Sequence, residues 1–179
     1  MKKAIFISGV IGSGKTTLAR QLAERYDITL REENIKNDSL IPEIKKFYHS
    51  FDPETVLRVQ RHFIRDSEGM LDNLPENGSS VFDTFPFKSQ RAYVTALFNS
   101  FFIDKEQYDE LNFLLDSVES LEHITSLHIH CDTPSNLFNR IYSRGSFEKN
   151  SYDKGEPSEK FTRLIAGLDN FYLNSLVTN

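Results

Sequence analysis

The stretch Gly9-Val10-Ile11-Gly12-Ser13-Gly14-Lys15-Thr16, followed by Thr17, decides how the rest of the chain is read. It fits G-x-x-x-x-G-K-[ST], the pattern of a P-loop. Glycines at these spacings let backbone N–H groups converge on phosphate oxygens with no Cβ in the way. Lys15 reaches the β- and γ-phosphates of a nucleotide such as ATP, and the Thr16 hydroxyl is placed to ligate Mg²⁺. The dipole of the helix that follows adds positive potential at the same point. The flanks agree with the motif. Lys3 to Ser8 reads as a short apolar strand, and Thr17 to Tyr26 as a helix with Leu18 and Leu22 on one face. Strand, glycine-rich loop and helix is the context that the motif requires.

Composition narrows the class. With 179 residues, 39% hydrophobic and 26% charged, one ordinary folded domain is expected. The net charge of −5 argues against a broad surface for nucleic-acid polymers or anionic membranes. No apolar run approaches a membrane span, no signal peptide precedes the first strand, and the single Cys131 has no internal partner. The expected compartment is therefore the cytoplasm.

Beyond the P-loop helix, Asp27 to Leu30 reads as a second strand that delivers Arg31-Glu32-Glu33-Asn34 at its C-terminal end. Ligands of open parallel sheets bind at that end. The adjacent carboxylates read either as a site for a general base or as a solvated acidic turn. Leu40 to Phe51 is a partly apolar helix, and Asp52-Pro53-Glu54 starts another that runs to about Leu71. Gln60, Arg61 and Arg65 lie beside its apolar stripe and can point into a cleft.

Ser80 to Asp83 reads as a third strand ending in an acid, the pattern of a carboxylate that holds Mg²⁺ in a P-loop protein. Helices are expected over Lys88 to Ser100, and from Asp104 through Val118. His123 to Cys131 is a further strand, with His128 and His130 on one face as packed histidines rather than metal ligands. Thr133-Pro134 opens a helix in which Arg140 and Arg144, four residues apart, share a face that suits clamping phosphate. A short lid is expected over about 144–157, then a final amphipathic helix with Phe161, Leu164, Ile165, Leu168 and Tyr172. The fold class is α/β, a P-loop NTPase fold with a central parallel sheet of four or five strands and helices on both faces. Any fifth strand would have to lie in the last residues.

Three stretches go further than the P-loop: Lys46-Phe47-Tyr48, Gln60, and Asn139-Arg140-Ile141-Tyr142-Ser143-Arg144-Gly145. With them the chain, from the first strand to about Glu148, resembles the deoxynucleoside kinases of the deoxycytidine, deoxyguanosine and mitochondrial thymidine kinase type. The resemblance implies phosphorylation of the 5′-hydroxyl of a deoxynucleoside by ATP with Mg²⁺, and a homodimer. It also implies roles. Glu32 resembles the catalytic base, Tyr48 the residue that holds the 3′-hydroxyl, and Gln60 the reader of the base edge. Asp83 resembles the Mg²⁺ ligand beside Thr16, Arg140 and Arg144 the lid arginines, and Glu148 a lid glutamate. Arg61, Arg65 and Gln90 stand near where a base-discriminating pair is expected. The chain departs from the family pattern at four positions. Thr84 replaces an arginine, Glu33 the proline after the base, Ser146 a lid arginine and Lys149 a lid glutamate. These departures leave three readings open: low activity, an unusual substrate, or compensation by Lys88 or Arg91. Two rival readings are a kinase of nucleoside monophosphates or other small molecules, and a nucleotide-binding regulator that has lost catalysis.

Overall fold

A computed structural model describes residues 2–33, 40–72, 78–116, 124–130, 134–144, 152–153 and 156–177. Strand β1 (Lys2–Gly9) is central to the sheet. It pairs in parallel with β3 (Gly78–Phe82) on one side and β4 (Ile124–Ile129) on the other, and β2 (Thr29–Arg31) adds to β3. The order β2-β3-β1-β4 makes a four-stranded parallel sheet among the described residues. Parallel neighbours need crossovers, and helices provide them.

Period-two alternation sends the side chains of β1 to opposite layers. Ile7 joins Val81 and Ala19 under helix α1 (Lys15–Tyr26). Ala4 and Phe6 join Phe82 on the other face. There Met70 and Phe87 cover them from α3 (Pro53–Asp72) and α4 (Pro86–Asn99). Phe6 is fully buried and lies 4.7 Å from the ring of Phe82. Each such side chain contributes roughly 1.5–3 kcal/mol. Helices on both faces are the expected layering.

A larger core lies beyond the Phe6 face. It joins α2 (Ile41–Ser50), α3, α4, α5 (Lys105–Asp116), α6 (Pro134–Arg144) and α7 (Glu159–Val177). Val10 and Ile11 of the P-loop dip into this core beside Leu137 and Ile141 of α6, so packing holds the loop from below. Helix α2 stops at Phe51, whose φ of 52° is left-handed, and Asp52 then caps α3. The Asp52 carboxylate accepts from the Thr55 N–H at 3.1 Å and from the Thr55 hydroxyl at 2.7 Å, as a cap residue does.

Several boundaries differ from the sequence reading for identifiable reasons. Asp27 is the left-handed cap of α1, its N–H bonded to the Ala23 carbonyl, so it is not part of β2. Helix α4 starts at Pro86, where proline's fixed φ suits the first turn and its missing N–H is not needed. The described residues at the C-terminal end, Glu159–Val177, form α7, and no fifth strand joins the parallel sheet among the described residues. The stretch read as a lid holds a short antiparallel pair, β5 (Tyr152–Asp153) with β6 (Glu156–Pro157). Among the described residues, no helix is long and apolar enough to cross a membrane.

Candidate active site

The P-loop leaves the C-terminal end of β1 and enters α1. Gly9 has φ +147°, and a Cβ there would lie 2.6 Å from the Ile129 carbonyl oxygen of the neighbouring strand. At Gly12, φ is +80° and a Cβ would lie 2.8 Å from Ile141 Cγ1. Both positions therefore require glycine, one against a strand and the other against α6. Lys15 folds back over the loop, its ammonium donating to the carbonyls of Gly9 and Val10 at 3.0 Å each. Ser13, Gly14 and Thr17 line the same opening.

Asp83 follows β3 directly and ties three strand ends together. Its Oδ2 accepts from the Thr16 hydroxyl at 2.8 Å, and its Oδ1 accepts from the Glu33 N–H at 3.0 Å. Its own N–H donates to the Arg31 carbonyl. Desolvation raises its pKa, while the two donated hydrogen bonds and Lys15 oppose the rise. Thr16 and Asp83 thus bring two hard oxygen donors together at the mouth of the P-loop. That donor chemistry fits Mg²⁺.

Glu33 sits next to this pair. Only part of its surface is open, and that part faces the cavity. The pKa of its carboxyl is pushed up from 4.5 to about 7. Removal from water is the largest cause, the charge of Asp83 the next, and Lys15 partly offsets both. Gln90 of α4 donates to Glu33 Oε1 at 3.3 Å.

A cavity of about 1010 Å³ runs from the P-loop past Glu33 and Asp83 into the helical layer. Its inner end is lined by Ile44, Phe47 and Tyr48 of α2, Gln60 and Phe63 of α3, and Tyr93 of α4. Gln60 is 1% exposed, and its Oε1 has no hydrogen-bond partner among the described residues. An unsatisfied buried amide oxygen costs on the order of 1–3 kcal/mol. A ligand that brings a donor to this point removes that penalty. Arg140 lines the mouth from α6, one turn from Ser143.

The structure therefore brings Gly9, Gly12, Ser13, Gly14, Lys15, Thr16, Thr17, Tyr48, Gln60, Asp83 and Arg140 around one cavity. Glu32 does not face it. Its carboxylate lies 2.6 Å from Arg20 Nη2 of α1, although its charge is still felt at Asp83. Glu33, its neighbour in an extended segment, takes the inward position instead. Arg61 is also turned away, bonded through Nε to Glu110 of α5 at 2.7 Å. Arg91 bonds Asn112 and Asp116 of α5 and is not among the cavity-lining residues, whereas Thr84, at the position of the family's arginine, lines it. Arg144 closes α6, its side chain lying outside the described residues, as does all of Glu148. His128 bonds the Ser8 hydroxyl at 3.0 Å and His130 lies 3.5 Å from Asp169. Among the described residues no cluster of three or more His, Cys, Asp or Glu forms a metal site.

Sequence reasoning missed Tyr93 and Tyr172 as cavity residues. Both occupy core positions of amphipathic helices, so their spacing marks them as packing. The only available signal was chemical: a buried phenol needs a partner for its hydroxyl.

A loop shaped for phosphates opens here onto a cavity with room for an acceptor, the layout of a P-loop kinase. The chain belongs to the deoxynucleoside kinase family, whose sequence model matches residues 5–154, and it is a phosphotransferase of that class. Solved structures of deoxyadenosine kinase from M. mycoides share its fold. The form with dATP bound has TM-score 0.78 and 16% identity over 98% of this chain and 86% of that one. The form with dCTP has TM-score 0.77 and 17% identity over 97% and 85%. A third, with the products dCMP and a flexible dCDP, has TM-score 0.77 and 18% identity over 97% and 84%. No curated protein sequence matches the chain.

Proposed function

We propose that the protein transfers the γ-phosphoryl group of ATP to the 5′-hydroxyl of a deoxynucleoside, with Glu33 as the base. The observation that carries this reading is the position of Glu33. It lines the same cavity as the P-loop residues Lys15 and Thr16 and the acceptor-side residues Tyr48 and Gln60, and is bonded to Asp83 through its N–H and to Gln90 of α4 through its carboxylate. In the reaction the O5′–H bond breaks and its proton passes to the Glu33 carboxylate. O5′ bonds to Pγ as the bond from Pγ to the β,γ-bridging oxygen breaks, and ADP leaves. A base with pKa about 7 is poised for this at neutral pH.

Lys15 exchanges its two loop carbonyls for phosphate oxygens, and Arg140 adds positive charge from α6. Such transfer needs mainly positioning and charge neutralisation. Thr16 and Asp83 would hold Mg²⁺, which when bound supplies charge neutralisation on the phosphates. Tyr48 and Gln60 orient the nucleoside, with the Gln60 amide pairing to the base edge. Arg144 and Glu148 belong to the lid in this reading.

A nucleoside monophosphate acceptor fits less well. It needs cations in the acceptor pocket, and among the described residues Lys15 and Arg140 are the cationic side chains lining the cavity. Arg61 and Arg91 are engaged on α5. M. mycoides deoxyadenosine kinase is seen with adenine and cytosine nucleotides. Deoxyadenosine and deoxycytidine are therefore the first acceptors to test. The single cysteine and the need for ATP suit the cytoplasm, and the family resemblance suits a homodimer. The deciding experiment is a screen of the deoxynucleosides and their monophosphates with ATP and Mg²⁺, following ADP release. Turnover of a deoxynucleoside is expected. Turnover confined to monophosphates, or none at all, would refute the proposal.

A further inference from the structure

Tyr172 of α7 is 1% exposed, lines the cavity, and makes contacts that no packing role requires. Its hydroxyl donates to Ser89 Oγ of α4 at 3.3 Å, and its oxygen takes a backbone hydrogen bond from Gly9. Ser89 Oγ in turn accepts from the Phe85 N–H at 3.3 Å, which caps the start of α4 just after Asp83 and Thr84. The ring of Tyr172 lies 4.7 Å from that of His128, which is fixed to Ser8. One phenol thus touches the first glycine of the P-loop and the first turn of α4. The residue after Ser89 is Gln90, the donor to Glu33. Burial keeps the phenol neutral, with a pKa pushed up to about 12, so it can donate and accept at once.

We infer that Tyr172 is a positioning residue. Its hydroxyl clasps Gly9 to Ser89, so that the P-loop and the Gln90–Glu33 pair are set relative to each other by a residue of the C-terminal helix. Because Gly9 begins the loop at a φ that only glycine tolerates, a small displacement there is passed to every phosphate-facing N–H that follows. The inference builds on the kinase reading, yet half of its test does not depend on turnover.

Tyr172→Phe keeps the ring against His128 and removes the clasp; Ser89→Ala removes its other end. ADP affinity, measured by calorimetry, is expected to fall roughly 2- to 12-fold in each, the span of one neutral hydrogen bond. Deoxynucleoside affinity should stay within about twofold, because Tyr48 and Gln60 sit on α2 and α3. The double variant should lose no more than the worse single, since both break one link. In turnover, kcat should fall in parallel with ADP affinity. Unchanged ADP affinity in Tyr172→Phe, losses that multiply in the double variant, or an equal fall in nucleoside affinity would each overturn the inference. If the wild type phosphorylates no deoxynucleoside but the ADP losses are seen, the kinase reading fails and the clasp stands.

Discussion

Replacing Glu33 by Gln should abolish most turnover and at the same time stabilise the protein at alkaline pH. The reasoning starts from the raised pKa. Folding holds the Glu33 proton more tightly than the unfolded chain does, so stability falls as pH rises from 4.5 towards 7 and stays low above that. The rise from 4.5 to about 7 corresponds to about 3 kcal/mol at pH 8, an amount absent below pH 4.5. Glutamine has no charge to desolvate and can still bond Gln90. Glu33→Gln should therefore unfold at higher urea than wild type at pH 8, by up to about 3 kcal/mol, and match it near pH 4. Its kcat should be lower by roughly 10²–10⁴, the span of a positioned acid–base group. Wild-type kcat/KM should rise with pH through an acidic limb near 7, and that limb should vanish in the variant. Glu32→Gln is the control. It loses only a surface pair with Arg20, worth ~0–1 kcal/mol, and should keep activity within a few-fold. Large loss in Glu32→Gln with activity retained in Glu33→Gln would refute the assignment of the base.

Three other substitutions separate the roles around the cavity. Lys15→Ala should leave circular dichroism and melting near wild type but remove phosphoryl transfer, since the ammonium bonds loop carbonyls at the cavity and is no part of the core; a folded, fully active variant would contradict the phosphate role. Gln60→Leu should reduce kcat/KM for the best deoxynucleoside about 5- to 150-fold, the effect of leaving a base-edge group unpaired, with ATP KM barely changed. Because it also removes an unsatisfied buried oxygen, it should not destabilise the free protein; identical kinetics on every deoxynucleoside would place the base elsewhere. Arg61→Ala should shift nucleoside KM by less than about twofold and lower stability by ~1 kcal/mol or less through loss of the Glu110 pair. A large KM effect would show that Arg61 leaves Glu110 to meet the substrate.

The P-loop was legible because its chemistry is local. Gly9, Gly14, Lys15 and Thr16 stand at the spacing by which a P-loop wraps a phosphate, and the flanking periodicities are short-range. Asp83 was legible for a similar reason, as an acid ending an apolar strand, and Gln60 through resemblance to a known family. The choice between Glu32 and Glu33 was not legible. Two adjacent carboxylates after a strand are equivalent in sequence. What separates them is the register of β2 on β3, with Arg31 opposite Phe82, and the bond from the Glu33 N–H to Asp83, fifty residues away. Arg61 looked free to face a cleft until α5 brought Glu110 beside it. Tyr172 sits on a helix whose 3.6-residue period explains it completely as core. Only the return of α7 against β4 and α4 places its hydroxyl on Gly9 and Ser89. Residue type and local period thus determined which phosphate chemistry the chain can do. Strand register and long-range helix packing decided which carboxylate, cation and phenol face the cavity, because those contacts join segments that sequence spacing leaves independent.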